Sequence, residues 1–272
     1  MKILISVDLE GVAGIVHAAE TVPERHDYER GRRLMTAEAN AVVAGILDAE
    51  PSAEVLVADS HGPYRNILPE DLDRRARLIR GKPRGLGMVA GLQDGVQMAM
   101  FVGYHARAGV SGAVLAHTMA DGILDVRIGG VSYGEIGLNT LLAASYGVPV
   151  VLASGDDAAC EEFSAMAPRA VTVAVKRGLG QHAADTLHPE EACERLRAAA
   201  GQAIELHAAV VPFDIHLPVR VQVDLHQLGA ADLAALIPGV TRNGRTLAFE
   251  AQTMADAYRT LQLIVVLTLA RL

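Results

Sequence analysis

The sequence predicts an α/β protein, a mostly parallel central sheet with helices on both faces plus a smaller C-terminal α/β unit. Three observations predict it. Over the first hundred residues short apolar runs alternate with helical stretches, the pattern of a parallel sheet joined by crossover connections. Several of those runs end in small-residue turns that carry ionisable side chains: Asp8-Leu9-Glu10-Gly11, Ser60-His61-Gly62 and Gly103-Tyr104-His105. From about Leu179 the texture changes, which places a boundary between residues 1–180 and residues 181–272.

Lys2 to Val7 reads as a buried strand, apolar and partly β-branched. Asp8 and Glu10 follow it two residues apart, so on an extended chain both carboxylates leave on one side. Gly11 and Gly14 allow a sharp turn. Tyr28 to Glu50 reads as a long helix, with Leu34, Met35, Ala39, Val42, Val43, Ile46 and Leu47 spaced mostly at three and four. Glu54 to Asp59 is the second strand. Asn66 to Asp73 is expected to form a short helix started at Pro69. Ala76 to Ile79 is a third strand, Met88 to Asp94 another short helix, and Met98 to Val102 a fourth strand. In such a sheet the ligand site lies beyond the carboxyl ends of the strands. Asp8, Glu10, His61 and His105 all fall there.

A loop of small residues, Ala108 to Thr118, carries His117 near its end. Leu124 to Ile128 and Val131 to Tyr133 read as a hairpin around Gly129-Gly130. Glu135 opens a helix that runs to Tyr146, with Gly147 as its C-cap. A strand from Pro149 to Ser154, a helix from about Ala158 to Met166 and a strand from Ala170 to Lys176 follow. In the second part, Pro189 to His207 is a helix with acidic residues at its positive end. Strand Val219 to Leu225, helix Ala230 to Ile237, strand Arg245 to Phe249 and helix Met254 to Ala270 complete the chain.

Composition narrows the function. Hydrophobic residues make up 51% of 272 residues and aromatics 4%, so the core is built from small aliphatic side chains. The net charge of −8 argues against a nucleic-acid binder that works by neutralising phosphates. Cys160 and Cys193 make no disulfide framework or CxxC pattern, and the chain opens directly into a strand with no leader. The apolar run Leu261 to Leu269 is about half of a membrane span. A soluble cytoplasmic protein is expected.

Asp8, Glu10 and Glu135 with His61 and His105 form a mixed carboxylate and imidazole set. Such donors suit borderline divalent ions, zinc first, with manganese or cobalt as substitutes. Five protein ligands exceed what one catalytic zinc takes. With one carboxylate bridging, they suit two ions about 3.5–4 Å apart. A pair of that kind activates water and polarises a carbonyl, which is the chemistry of amide hydrolysis.

The motifs Ser6-Val7-Asp8-Leu9-Glu10-Gly11, Asp59-Ser60-His61-Gly62, Gly103-Tyr104-His105-Ala106, Ala116-His117-Thr118 and Gly134-Glu135-Ile136-Gly137-Leu138-Asn139 resemble, in order, those of the zinc-dependent D-aminopeptidases of the dipeptide-transport (DppA) type. The resemblance extends through Ala174-Val175-Lys176 and the C-terminal part. It implies two zinc ions per chain held by Asp8, Glu10, His61, His105 and Glu135, with Asp8 bridging, and His117 as the catalytic residue. It also implies a ring-based homodecamer. The activity implied is release of N-terminal amino acids, D-residues in that family, from short peptides or amino-acid amides. No nucleic acid and no membrane enter this reading.

Two other readings compete. Asp-x-Glu after a first strand also opens two-metal exonucleases and phosphoesterases, but those rely on nearly all-carboxylate ligands for magnesium. A non-catalytic metal-binding module on the same fold is the other; Gly11 and Gly14 lack the remaining residues of a phosphate loop. Substrate choice and stereochemistry depend on pocket walls that no motif encodes.

Overall fold

The computed structural model describes residues 1–269. The chain runs β1 (Lys2–Val7), α1 (Ala18–Thr21), α2 (Tyr28–Ala49), β2 (Glu54–Asp59), β3 (Ala76–Ile79), β4 (Met98–Tyr104), β5 (Ile123–Ile128), β6 (Val131–Ser132), α3 (Glu135–Ser145), β7 (Val150–Asp156), α4 (Asp157–Met166), β8 (Val171–Gly180), β9 (Ala183–Thr186), α5 (Pro189–Leu206), β10 (Val219–Leu225), α6 (Leu228–Ala234), β11 (Thr241–Asn243), β12 (Thr246–Ala251) and α7 (Met254–Thr268). The predicted end of the last helix, Ala270, lies outside the described residues.

The main sheet has seven strands in the order β3-β2-β1-β4-β7-β8-β9, all parallel except the last. β1 and β2 are buried nearly throughout, as strands covered on both faces must be. Helices α2 and α5 cover one face through Met35, Val42, Ile46, Leu196 and Ile204. The other face packs against α3, α4, α7 and a second sheet. That second sheet has five antiparallel strands, β11-β12-β10-β5-β6.

The two layers exchange segments. The β5–β6 hairpin precedes most of the main sheet's later strands in sequence yet extends the second sheet. Helix α5 follows the residue-180 boundary yet packs on the main sheet against α2. Residues 178–186, polar and glycine-containing, form the β8–β9 edge hairpin.

Two predicted short helices differ in the structure. Residues 66–73 form turns around Pro69, and the Asp73 amide, which would continue a helix from there, is taken by the Asn40 side chain. Asn66 and Ile67 donate to the Asp59 carboxylate at 2.5 and 2.8 Å, Leu68 to Thr36 Oγ1 and Asp73 to Asn40 Oδ1. Residues 87–94 form two 3₁₀ turns separated by Ala90 and Gly91, whose φ of 113° no continuing helix accepts.

The register aligns the strand ends. Val7 pairs with Asp59 on β2 and with Val102 on β4, so the residues just beyond these three strands share one edge. The chain builds β2 and β3 to one side of β1 and then crosses to β4 on the other, the reversal where open α/β sheets form their clefts.

Candidate metal centre

Backbone packing first brings the β1 and β4 loops together. Asp8 N donates to Val102 O and Gly11 N to Gly103 O, both at 2.8 Å. The approach is possible only without side chains. A Cβ on Gly11 would overlap the Tyr104 carbonyl oxygen, and one on Gly103, whose φ is 69°, would overlap the Asp8 carbonyl. Asp8 and Glu10 are thereby placed against His105.

The loop beyond Glu10 is held from below by Lys176, a residue to which the sequence pattern gives no role. The buried Lys176 ammonium, at the end of an otherwise apolar stretch of β8, donates to the carbonyls of Glu10 (2.5 Å), Val12 (3.0 Å) and Ile15 (2.7 Å). Glu38 on α2 accepts from Ala13 N at 2.8 Å, and Glu20 accepts from Val16 N and His17 N. Beneath the site, Ser6 donates to Met88 O and accepts from Tyr104 OH at 2.7 Å. Asn139 on α3 donates to that same tyrosine oxygen, and Tyr258 on α7 donates to Asn139 Oδ1. One buried chain of hydroxyl and amide groups thus fixes β1, β4, α3 and α7 relative to one another.

Each imidazole is oriented by a backbone carbonyl. His61 Nε2–H donates to Thr21 O, which leaves Nδ1 facing Glu10 Oε2 at 2.8 Å and Asp8 Oδ1 at 3.3 Å. His105 Nδ1–H donates to Ala106 O, and its Nε2 faces Asp8 Oδ2 at 3.5 Å and Glu135 Oε1 at 3.4 Å. His117 Nδ1–H donates to Leu115 O, and its Nε2 lies 3.6 Å from the same Glu135 oxygen. Carbonyl partners of this kind fix the tautomer and aim the free lone pair inward, as in metal-ligating histidines. Glu135 is the first residue of α3, where the helix N-terminus favours a carboxylate.

The His117 loop is a built structure. Leu115 and Met119 bracket His117 with φ of 50° and 64°, unusual for side-chain-bearing residues. Met119 N donates to Glu135 Oε1 at 2.6 Å, which ties the loop to α3. The His117 ring stacks on His105 with centroids 4.1 Å apart at 12°.

All six residues predicted from the sequence converge. Their donor atoms include two compact groups, Asp8 with Glu10 and His105, and His105 with His117 and Glu135, each within 4.8 Å. The arrangement fits a divalent cation on its own chemistry. Asp8 Oδ2, Glu10 Oε2 and His105 Nε2 are buried without a hydrogen-bond partner, which is costly unless an ion satisfies them.

The titration behaviour agrees. Burial, reinforced by the Glu10 charge, pushes the Asp8 carboxyl up to about 7. Burial lowers His105, but the carboxylates of Glu135, Asp8 and Glu10 together outweigh it and push the imidazole up to about 10. The acids and imidazoles crowd one another without enough hydrogen bonds to satisfy them all, which is the place a divalent ion takes. His117 stands apart in access: its side chain is 24% exposed, whereas that of His105 is 1%.

A cavity of about 390 Å³ opens over these groups, lined also by Tyr64, Lys82, Arg84, Met88, Met119 and Gln262. The sequence carried no local signal for these walls; Gln262, Val265 and Val266 arrive from α7 through the tertiary fold.

The sequence profile of the Peptidase M55 family, described as D-aminopeptidase, matches residues 1–263. A D-aminopeptidase of Bacillus subtilis (strain 168) is 35% identical over 261 residues, covering 95% of this chain and 94% of that one. The solved structure of the zinc-dependent D-aminopeptidase DppA from Bacillus subtilis, described as a self-compartmentalizing protease, superposes with a TM-score of 0.96. It is 33% identical and covers 100% of this chain and 99% of its own.

Proposed function

The chain belongs to the Peptidase M55 family of D-aminopeptidases, and from that premise we propose that it is a dinuclear-zinc enzyme releasing N-terminal D-amino acids from short peptides or amino-acid amides. The observation that carries the dinuclear reading is the Asp8 carboxylate, which presents Oδ1 to His61 Nδ1 at 3.3 Å and Oδ2 to His105 Nε2 at 3.5 Å, with Glu10 beside the first imidazole and Glu135 beside the second. Zinc dependence follows the description of the similar Bacillus subtilis enzyme and suits mixed oxygen and nitrogen donors. Late imidazole donors speak against an all-carboxylate magnesium nuclease.

Asp8, Glu10, His61, His105 and Glu135 would hold the metals, with Asp8 between the two imidazoles, one oxygen toward His61 and the other toward His105. When bound, the ions supply Lewis acidity toward the scissile carbonyl and lower the pKa of a water held in the site. His117 acts on protons. Its Nδ1 is held by Leu115, so Nε2 is free to take a proton and to pass it to the leaving amine, or as imidazolium to donate to the developing oxyanion. Its exposure to the cavity and its tether to Glu135 through Met119 support that role. The buried wall of Met88 and Tyr64 limits water around the reacting groups.

We propose further that the protein assembles as a ring-based homodecamer. The self-compartmentalizing description of the similar enzyme supports this. So do the exposed Leu263, Val266 and Leu269 at spacing three along the C-terminal helix and its cap. Among the described residues no helix is long and apolar enough to cross a membrane. Two unpaired cysteines fit a reducing cytoplasm.

One assay tests the activity. D- and L-alanyl amides and dipeptides are offered to the zinc-loaded protein with and without a chelator. Chelator-sensitive hydrolysis of D-substrates is expected; hydrolysis indifferent to the chelator contradicts the metal reading.

A further inference from the structure

We propose that Lys82 is the anchor for the free α-carboxylate of the substrate, which makes short peptides with an unblocked C-terminus the preferred substrates of this site. The inference rests on the aminopeptidase reading and adds the recognition of the far end of the peptide.

The cavity over the metal centre contains two kinds of charge. The carboxylates of Asp8, Glu10 and Glu135 are buried and face the imidazoles. The cations Lys82 and Arg84 lie on the loop after β3. Arg84 is committed: its Nη groups donate to Ile79 O and Asp59 O, and its guanidinium lies 4.0 Å from the Tyr64 ring centroid. It braces the loop and adds a positive field. Its Nε is buried without a partner.

Lys82 is different. Its Nζ stands 4.4 Å from the Tyr64 ring centroid, and among the described residues it forms no ion pair and no hydrogen bond. The tyrosine itself is held at φ 58°, a conformation that costs energy and is kept where it places a ring. Lys82 is solvent-exposed at the rim of the cavity, and a cation seated there on an aromatic face with its donors free can take an anion that reaches the rim.

The chemistry of the substrate names that anion. An aminopeptidase takes the amino end and scissile carbonyl of its substrate to the metals, and the leaving residue extends away. In a dipeptide the α-carboxylate follows within one residue of the scissile bond, about 3.5 Å of chain. A cavity of about 390 Å³ is at the small end for ligand sites, so a charged terminus would fall inside it rather than in bulk water. Gln262, also on the wall, offers a neutral amide to the same terminus.

The test compares a D-alanyl dipeptide as the free acid with the same dipeptide as its C-terminal amide, in the zinc-loaded wild type, Lys82→Met and Lys82→Arg. Met keeps an unbranched stem against Tyr64, so packing is retained. Wild type is expected to favour the acid in kcat/KM by about tenfold, the scale of one charge-assisted contact. Lys82→Met should bring the ratio of acid to amide close to one through KM, and Lys82→Arg should restore part of it. A structural role alone would lower both substrates together and leave the ratio where it was. An unchanged ratio in Lys82→Met, or no preference in wild type, overturns the proposal while leaving the aminopeptidase reading intact. A wild type that hydrolyses neither substrate overturns that reading, and this inference with it.

Discussion

Asp8 Oδ2 and His105 Nε2 face each other at 3.5 Å across the ends of β1 and β4, and neither atom has a hydrogen-bond partner. The backbone bonds between the two strand ends and the bare Cα atoms of Gly11 and Gly103 impose this proximity. A buried carboxylate oxygen and imidazole nitrogen that face each other at this range without a protein partner mark a place for an ion.

Lys176 sets the shape of the loop that carries Glu10. Lys176→Met should destabilise the fold by about 2–4 kcal/mol, since three buried carbonyls lose their donor while Glu38 loses its nearby cation. Denaturant titration measures this. The same variant should bind zinc more weakly, because the Glu10 carbonyl is no longer fixed. Wild-type stability would contradict the role given to Lys176.

Glu38 makes stability depend on pH. Burial pushes its carboxyl up to about 7 from a model value of 4.5, against the opposing pull of the Ala13 amide and Lys176. Between those values the unfolded chain is ionised and the folded chain holds the proton. This group therefore contributes a loss of stability as pH rises from 4.5 to 7, by up to about 1.4 kcal/mol per pH unit. Glu38→Gln should remove that component. Denaturation of both proteins at several values from pH 5 to pH 8 provides the comparison, and parallel curves would contradict it.

His117→Ala should retain wild-type zinc and lose at least about 10²-fold in kcat, the scale of a positioned proton donor. Elemental analysis beside kcat on a D-aminoacyl amide separates the roles. Loss of a zinc ion would make His117 a ligand, and unchanged turnover would leave it with packing alone.

Val266→Glu places a charge in the exposed apolar row of α7. If that row is a subunit contact, light scattering should show a smaller assembly than wild type. A wild-type protein that is monomeric at micromolar concentration would contradict the closed assembly.

Much of this was legible in the sequence, for a physical reason. Buried parallel strands are unmistakable apolar runs, so the bounds of β1 and β2 match the pattern residue for residue, and the short edge strand β3 matches as well although it is only partly buried. The candidate ligands sit just beyond the ends of β1, β2 and β4, where topology puts sites, so Asp8, His61 and His105 could be proposed without coordinates. The turns at 66–73 were not legible, because it is the Asn40 side chain on α2 that takes the Asp73 amide. Nor was the supporting hydrogen-bond chain from Ser6 to Tyr258, or the role of Lys176, since these bonds join residues 35 to 166 positions apart. The cavity walls from α7 have the same origin.

The central claim is the proposal that Asp8 would hold two metals together, one carboxylate oxygen facing His61 and the other His105. Zinc per chain, counted by elemental analysis in wild type and in Asp8→Ala after dialysis against the same free zinc, tests it most directly. The account predicts two ions in wild type and none in Asp8→Ala. Two ions retained in Asp8→Ala, or a single ion in wild type, would contradict it.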